Sequence, residues 1–244
     1  MAQVGDLTIP AMRAYALQHG YDFYHMTDIV TPTDNLCLSS WKKIDVCCKL
    51  LEELGYDWVL WLDSDILIID PSKDILDEVR TDHVPHFVYS EHHTPWFNIS
   101  HHPNGGMFLV RTASILRDIE RIARTATNGI AIKVWEQCGM MALCGIDYEG
   151  FESRRPYKVW DPKLPVTHGY QMQCLGHEWN FSIHDQRDPP KIIRFAHYCG
   201  MSNSERVRQI SNRIMWNSRS YHMSLFDQPV DGRNYKIETI KKII

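Results

Sequence analysis

The chain has 244 residues, 44% of them hydrophobic and 23% charged, which suits one globular domain with a sizeable core. A formal net charge of -4 and a pI near 6.3 argue against a nucleic-acid binder, whose footprint would be a basic face, and leave room for a small anionic ligand where local charge opposes the average.

In chain order, "LTIPAMRAYALQHG" has helical periodicity with a stop at Gly20, and "YDFYHM" reads as a short strand. "SSWKKIDVCCKLLEELG" is a stronger helix: Ser39 or Ser40 can cap it, Ile44, Cys47, Cys48 and Leu51 share one face, and Gly55 ends it. Trp58 to Leu62 is then a strand, apolar on both faces and so read as central in a parallel sheet covered by helices on either side. Asp70-Pro71 suits an N-cap and first helical position; "PHFVYS" and "GGMFLVR" read as strands, and helices are expected over Thr112 to Ala126 and Val134 to Leu143. Glu149 to Asp188 breaks into short pieces rich in aromatics, Pro and Gly, a small variable subregion rather than a domain. A last strand, "KIIRFAHY", precedes a helix, and the tail to Ile244 is read as helical.

Seven cysteines (Cys37, Cys47, Cys48, Cys138, Cys144, Cys174 and Cys199) without a CxxC pair suggest neither a disulfide framework nor a zinc ribbon, and fit a reducing, cytoplasmic compartment. No apolar run reaches the roughly 20 residues of a membrane span, and "MAQVGDLTIP" lacks a signal-peptide pattern. The sequons at Asn98 and Asn180 read as chance occurrences. The tail's apolar stripe, Ile237, Ile240 and Ile244, is short, so packing on the protein's own surface is favoured over contact with a membrane.

The chemistry concentrates in "WVLWLDSDILIID". On extended chain Asp63 and Asp65 share a face at the carboxyl end of the strand, and Ser64 points the other way. In open α/β sheets that edge is where ligands bind. Two carboxylates so close repel unless one is protonated or a cation sits between them, and a hard divalent ion, Mg2+ or Mn2+, suits oxygen ligands and commonly completes its shell with substrate phosphates. Strand-end carboxylates that only cap the next turn are the bland alternative.

Other motifs follow in order: "WKKI", "LWLDSDILI", "NGGMFLVR", "WEQCGMMALC", "HEWNFS" and "AHYCG". With these, most of residues 1 to 200 resembles the GT-A fold glycosyltransferases, closest to the galactosyl and xylosyl transferases related to fungal galactomannan and plant xyloglucan enzymes, and more distantly the glycogenin-like galactosyltransferases. The resemblance implies a single GT-A domain over 1–244 with a mixed, mostly parallel central sheet, an acceptor subregion near 149–188 and a C-terminal helical tail from about 203. It also implies metal-dependent transfer of a hexose or pentose from a nucleotide diphosphate sugar, taken as UDP-linked, to a glycan or other hydroxyl acceptor, with retention.

Carried over by residue, Asp65 would be a direct metal ligand, Asp63 would contact the ribose or the metal, and His197 would complete the protein ligands, its nitrogen favouring Mn2+ over Mg2+. Ser64, Asn104, Gly105, Gly200 and Asn203 would line the nucleotide sugar, and Glu136 and Gln137 would lie at the anomeric carbon. Ser202 and Glu205 form a capping box, and a helix start beside the metal suits phosphate oxygens. The glycogenin-like pattern has a lysine where Asn203 stands; Arg206, Lys43 or nothing replaces its charge. The first GT-A strand should precede Ala2, so either Met1 is a late start or that strand is very short; Ala2, Gln3 and Val4 would then sit where base and ribose bind.

Trp135, Trp160 and Trp179 could stack on sugars, although single tryptophans are more often core. His92, His93, His101 and His102 tempt a zinc reading, but adjacent residues on extended chain point apart, and they are read as acceptor-loop residues. Two rival functions remain: a haloacid-dehalogenase-type phosphatase, whose pattern wants Thr or Val where Leu67 stands, and a non-catalytic sugar-nucleotide or glycan-binding domain.

Overall fold

A computed structural model describes residues 2–26, 36–92, 102–125, 135–144, 169–184, 190–220 and 242–243. Helices α1 (Ala2–His19) and α2 (Leu36–Glu52) lead into strands β1 (Trp58–Leu62) and β2 (Ile66–Ile68), then β3 (Phe87–His92), β4 (His102–Val110), α3 (Ala113–Thr125) and α4 (Trp135–Leu143). The chain continues through β5 (Met172–Leu175), β6 (Phe181–Ser182), β7 (Phe195–His197), α5 (Asn203–Ser220) and β8 (Lys242–Ile243).

The strands form two sheets. The larger has the order β5-β3-β4-β1-β8 and the smaller β2-β7-β6. The larger is mixed, as expected, with β1–β4 and β3–β4 antiparallel and β1–β8 and β3–β5 parallel, an even balance among the described strands rather than a mostly parallel one. Both faces of β1 are covered, which explains its unbroken apolar run. Val59, Phe87, Tyr89, Phe108 and Val110 face α2, α3 and α4 through Ile44, Cys47, Ile115, Ile119, Met140 and Leu143. Their alternates Leu60, Val88, Met107 and Leu109 face Met12, Tyr15 and Ala16 of α1, with Ile66, Ile68 and Phe195 of the small sheet.

Several local expectations are corrected. After Gly20, whose φ of 70° ends α1 as expected, "YDFYHM" forms only an isolated bridge at Asp22. Its aromatics act as side chains instead: Tyr21 enters the core, and Tyr24 meets the Tyr56 hydroxyl at 3.2 Å, which donates to Asp22. Helix α2 starts at Leu36, so Ser39 and Ser40 lie inside it. Asp70 is no N-cap; it accepts from the Ser72 amide and pairs with Arg194, while Asp74 caps a 3-10 turn over Ile75–Glu78. The end of the tail is not helical: Lys242 and Ile243 pair with Trp58 and Val59 of β1. The described part of the expected variable subregion places β5 at the edge of the main sheet, beside β3.

Candidate active site

The site lies where the chain leaves one sheet for the other. β1 stops at Leu62, and the Ile66 amide donates back to the Asp63 carbonyl at 3.0 Å, so residues 63–66 form a turn rather than continued strand. The two carboxylates still converge, through the turn and not through strand alternation. The Thr8 hydroxyl of α1 holds the turn by donating to the Ser64 carbonyl at 2.7 Å. Two neighbouring segments complete the junction. The Asp63 amide donates to the Gly106 carbonyl at 2.8 Å, extending the β1–β4 register past Leu62 and Met107. His197 of β7 pairs with Ile66, and the Tyr198 amide donates to the Asp65 carbonyl at 3.0 Å.

This register sets the Nε2 of His197 3.3 Å from Asp65 Oδ1. One ligand atom each from Asp63, Asp65 and His197 all lie within 4.8 Å of one another. Atoms about 2.1 Å from a shared ion are at most about 4.2 Å apart, so the set fits a small divalent cation with a slight inward movement. Asp63, whose side chain is 34% exposed, has room to supply it. Two oxygens and one nitrogen are donors that Mn2+ accepts.

Lys43 organises the other half. Its ammonium is buried and touches Asp63 Oδ1 at 3.1 Å, Glu136 Oε1 at 2.8 Å and the Gly105 carbonyl at 3.0 Å. Burial alone would lower the Lys43 pKa, but Asp63 and Glu136 outweigh it and raise the pKa above the ordinary lysine value. Asp65 behaves in mirror image: burial would raise its pKa, yet His197 and then Arg206, whose Nε lies 3.2 Å from Oδ2, hold it below the usual carboxylate range. The Trp61 indole also donates to Asp63 Oδ1, at 2.7 Å.

The glycines of "NGG" have a steric reason. A Cβ at Gly105 would lie 2.4 Å from Glu136 Oε1, and one at Gly106 would lie 2.4 Å from His197 Cε1 and 2.8 Å from Asn104 Oδ1. Only glycine lets the carboxylate and the imidazole lie this close to β4. Asn104 itself is buried, its Oδ1 accepting from the Gly106 amide at 2.8 Å.

The junction thus gathers Asp63, Ser64, Asp65, Asn104, Gly105, Glu136 and His197 of the expected set. Gln137 is half-buried beside Glu136 on α4. Gly200, with a φ of 72°, leads to Asn203 at the start of α5, where the Ser202 hydroxyl accepts from the Glu205 amide as the capping box required. Glu205 does the rest differently, pairing with Arg208 and Gln209. Val4 cannot meet a base by its side chain: it is fully buried among Leu67, Ala196, Tyr198 and Ile210, while Gln3 is exposed and Ala2 begins the helix. Trp179 is core, edge-on to Phe195 with Arg194 over its ring. The side chains of Trp135, His92 and His102, and all of Trp160, His93, His101 and Asn98, lie outside the described residues.

Two features were missed. Lys43 was one of the alternatives for the charge on the phosphate side, and its role as the shared cation of Asp63 and Glu136 was not foreseen. Asn180 was noted as a sequon and within "HEWNFS" but given no site role, yet it is fully buried, its Nδ2 3.5 Å from Asn104 Oδ1. Asn180 Oδ1 and Glu136 Oε2 are buried acceptors with no partner among the described residues, a costly condition that a ligand hydroxyl would relieve.

With the matches that follow, fold and junction support a GT-A-like glycosyltransferase. Residues 7–107 match the galactosyl transferase GMA12/MNN10 family, a stretch that ends just after "NGG" and covers less than half of the 244 residues. No curated protein matches the chain. Among solved structures it is similar to a glycosyltransferase involved in the glycosylation of the major capsid of PBCV-1, at 21% identity and a TM-score of 0.57, over 86% of this chain and 92% of that one. That likeness carries the fold, and the family match carries the transferase class; neither favours the phosphatase alternative. Glu136, Asn180 and His197 lie beyond the family match, so their place in the site rests on geometry.

Proposed function

We propose that this chain transfers a hexose or pentose from a UDP-linked sugar to a hydroxyl of a glycan or other acceptor, with retention, using Mn2+ held by Asp63, Asp65 and His197. The observation that carries this is the convergence of one ligand atom from each of these three residues at the junction of the two sheets. When bound, the ion would supply charge for the diphosphate leaving group. The chain's own residues do the rest. Lys43 fixes Asp63 and Glu136 in place through one ammonium, so the metal side and the sugar side of the site are positioned by the same group. Glu136 Oε2 and Asn180 Oδ1 are acceptors placed to orient donor-sugar hydroxyls. Gln137, next along α4, positions the donor beside Glu136. Retention proceeds either through Glu136 as nucleophile or by same-face attack with the leaving phosphate as base, and the Lys43 ion pair on Oε1 leaves Oε2 as the oxygen for the first route.

Six described cysteines are free thiols, four of them buried, which supports a reducing, cytoplasmic setting. Among the described residues no helix is long and apolar enough to cross a membrane. Calorimetry of UDP with and without Mn2+ tests the reading. Asp65→Ala should abolish metal-dependent UDP binding and His197→Ala should weaken it by less, with both proteins folded. UDP binding that ignores the metal and survives Asp65→Ala would overturn it.

A further inference from the structure

The carboxylates of the junction already have resident cations. Lys43 serves Asp63 and Glu136, and Arg206 serves Asp65. Arg206 is well anchored: its Nε reaches the Tyr198 carbonyl at 2.9 Å as well as Asp65 Oδ2 at 3.2 Å, its NH1 donates to Asn203 Oδ1 at 3.3 Å, and its side chain is 17% exposed. Asp65 therefore divides its oxygens, Oδ1 toward His197 and Oδ2 toward Arg206.

The charge balance has a consequence. Three carboxylates against two permanent cations leave one net negative charge, a weak attraction for a divalent ion that must also be stripped of water. Adding that ion makes the site positive by one, and a diphosphate, with two or three negative charges, then returns it to negative. Each ligand supplies the charge that the other needs, so their affinities are coupled, and coupling of this kind is reciprocal. The buried Glu136 Oε2, without a partner among the described residues, independently marks the Lys43 side of the junction as built for a ligand.

We infer that Arg206 is the residue that makes Mn2+ binding depend on the nucleotide diphosphate: its guanidinium opposes the bare ion and favours the ion together with the diphosphate. This rests on the proposed metal and donor, and it gives Arg206 a role distinct from ligation. Lys43 is enclosed by Asp63, Glu136 and Gly105, whereas Arg206 stands beside the first residues of α5, the side from which phosphate oxygens would meet both a cation and helix amides.

A positioning residue of this kind gives effects of opposite sign, which loss of structure does not. In the wild type, Mn2+ affinity, read by the paramagnetic resonance of free Mn2+, should rise by about tenfold or more when UDP is added. Arg206→Gln should bind Mn2+ alone more tightly, by about threefold to tenfold, and should bind UDP in saturating Mn2+ about tenfold less tightly. Arg206→Lys, which keeps the charge, should keep both signs as in the wild type. Wild-type UDP binding that does not need Mn2+ would overturn the proposed function and this inference with it. If wild-type binding does need Mn2+, two results would overturn the inference alone. One is equal Mn2+ affinity with and without UDP, a measurement that needs no variant. The other is a folded Arg206→Gln protein in which both affinities fall or neither changes.

Discussion

Lys43 and its neighbours Ile44, Cys47 and Leu50 on helix α2 are all buried and spend that burial in opposite ways. Along Ile44, Cys47 and Leu50 the helix faces α3, α4 and one side of the main sheet, in a cluster with no charged member. At Lys43 the same helix inserts an ammonium between Asp63 and Glu136. The apolar side gains from every contact, by roughly 25 cal/mol per Å2 of area removed from water. The charged side must first desolvate its ions, and their attraction repays that cost only if every partner stays in place. The lesson is one of tolerance: the apolar side should absorb small losses, and the charged side should fail when any one group is removed.

The sharpest way to break the contrast is Lys43→Met, which matches the stem in size and removes the charge. It strands Asp63 and the buried Glu136 without their cation, and should destabilise the fold by about 3–5 kcal/mol, read as a lower midpoint in urea. A loss under about 1 kcal/mol would show that water or a rearranged partner compensates, and would remove the contrast.

Next come two glycines, one on each side. A Cβ at Gly139 would lie 2.1 Å from the Ile119 carbonyl, where α4 crosses α3. Gly139→Ala should therefore cost about 1–3 kcal/mol or more in thermal unfolding, with Mn2+-dependent UDP binding intact in the folded protein. Gly106→Ala instead presses on His197 and Asn104 and should weaken that binding about tenfold or more. If the two exchanged phenotypes, the division between a structural and a functional side would be wrong.

The smallest effect is expected on α5, outside both regions. The Arg208 and Gln209 side chains hold the exposed Glu205 carboxyl down at about 2 from an ordinary 4.5. A folded pKa below the unfolded one means that the native state binds fewer protons, so this contribution is present above about pH 4.5 and is lost as pH falls toward 2. Carbon-detected titration should place the Glu205 midpoint in that low range, and Arg208→Ala should raise it, with a change in melting temperature too small to resolve because the pair is solvent-screened. A midpoint unmoved by Arg208→Ala would assign the shift to the helix start instead.

Much of the site was legible because its residues sit at ends of strongly patterned elements. The apolar run of β1 announced a strand covered on both faces, and a pair of carboxylates closing such a run demanded a cation. "NGG" and the histidine of "AHYCG" could be attached to that pair by resemblance, and the structure brings Gly106 and His197 to it. Local chemistry also placed the helix cap at Ser202 and the stop at Gly20. These features depend on the residues within a few positions, which is what a sequence displays directly.

What the tertiary structure alone decided are the pairings between distant segments. Lys43 and Glu136 are far apart in the chain and meet only because α2 and α4 pack on the same face of the sheet; no local pattern distinguishes a lysine that will be enclosed from one that will be solvated. The turn at Asp63, the antiparallel β4 beside β1 and the β8 pairing on its other edge likewise follow from which strands meet, since an apolar strand reads the same with either neighbour direction. The aromatic segment "YDFYHM" failed for a related reason: its large apolar rings serve a strand or a core equally well, and the core around Tyr15 made the choice, while Trp179 is core as single tryptophans more often are. Sequence therefore pointed to most of the residues that meet at the junction, and packing determined which charge each one faces, because electrostatic partnership depends on distance in space, and adjacency in the chain does not set it.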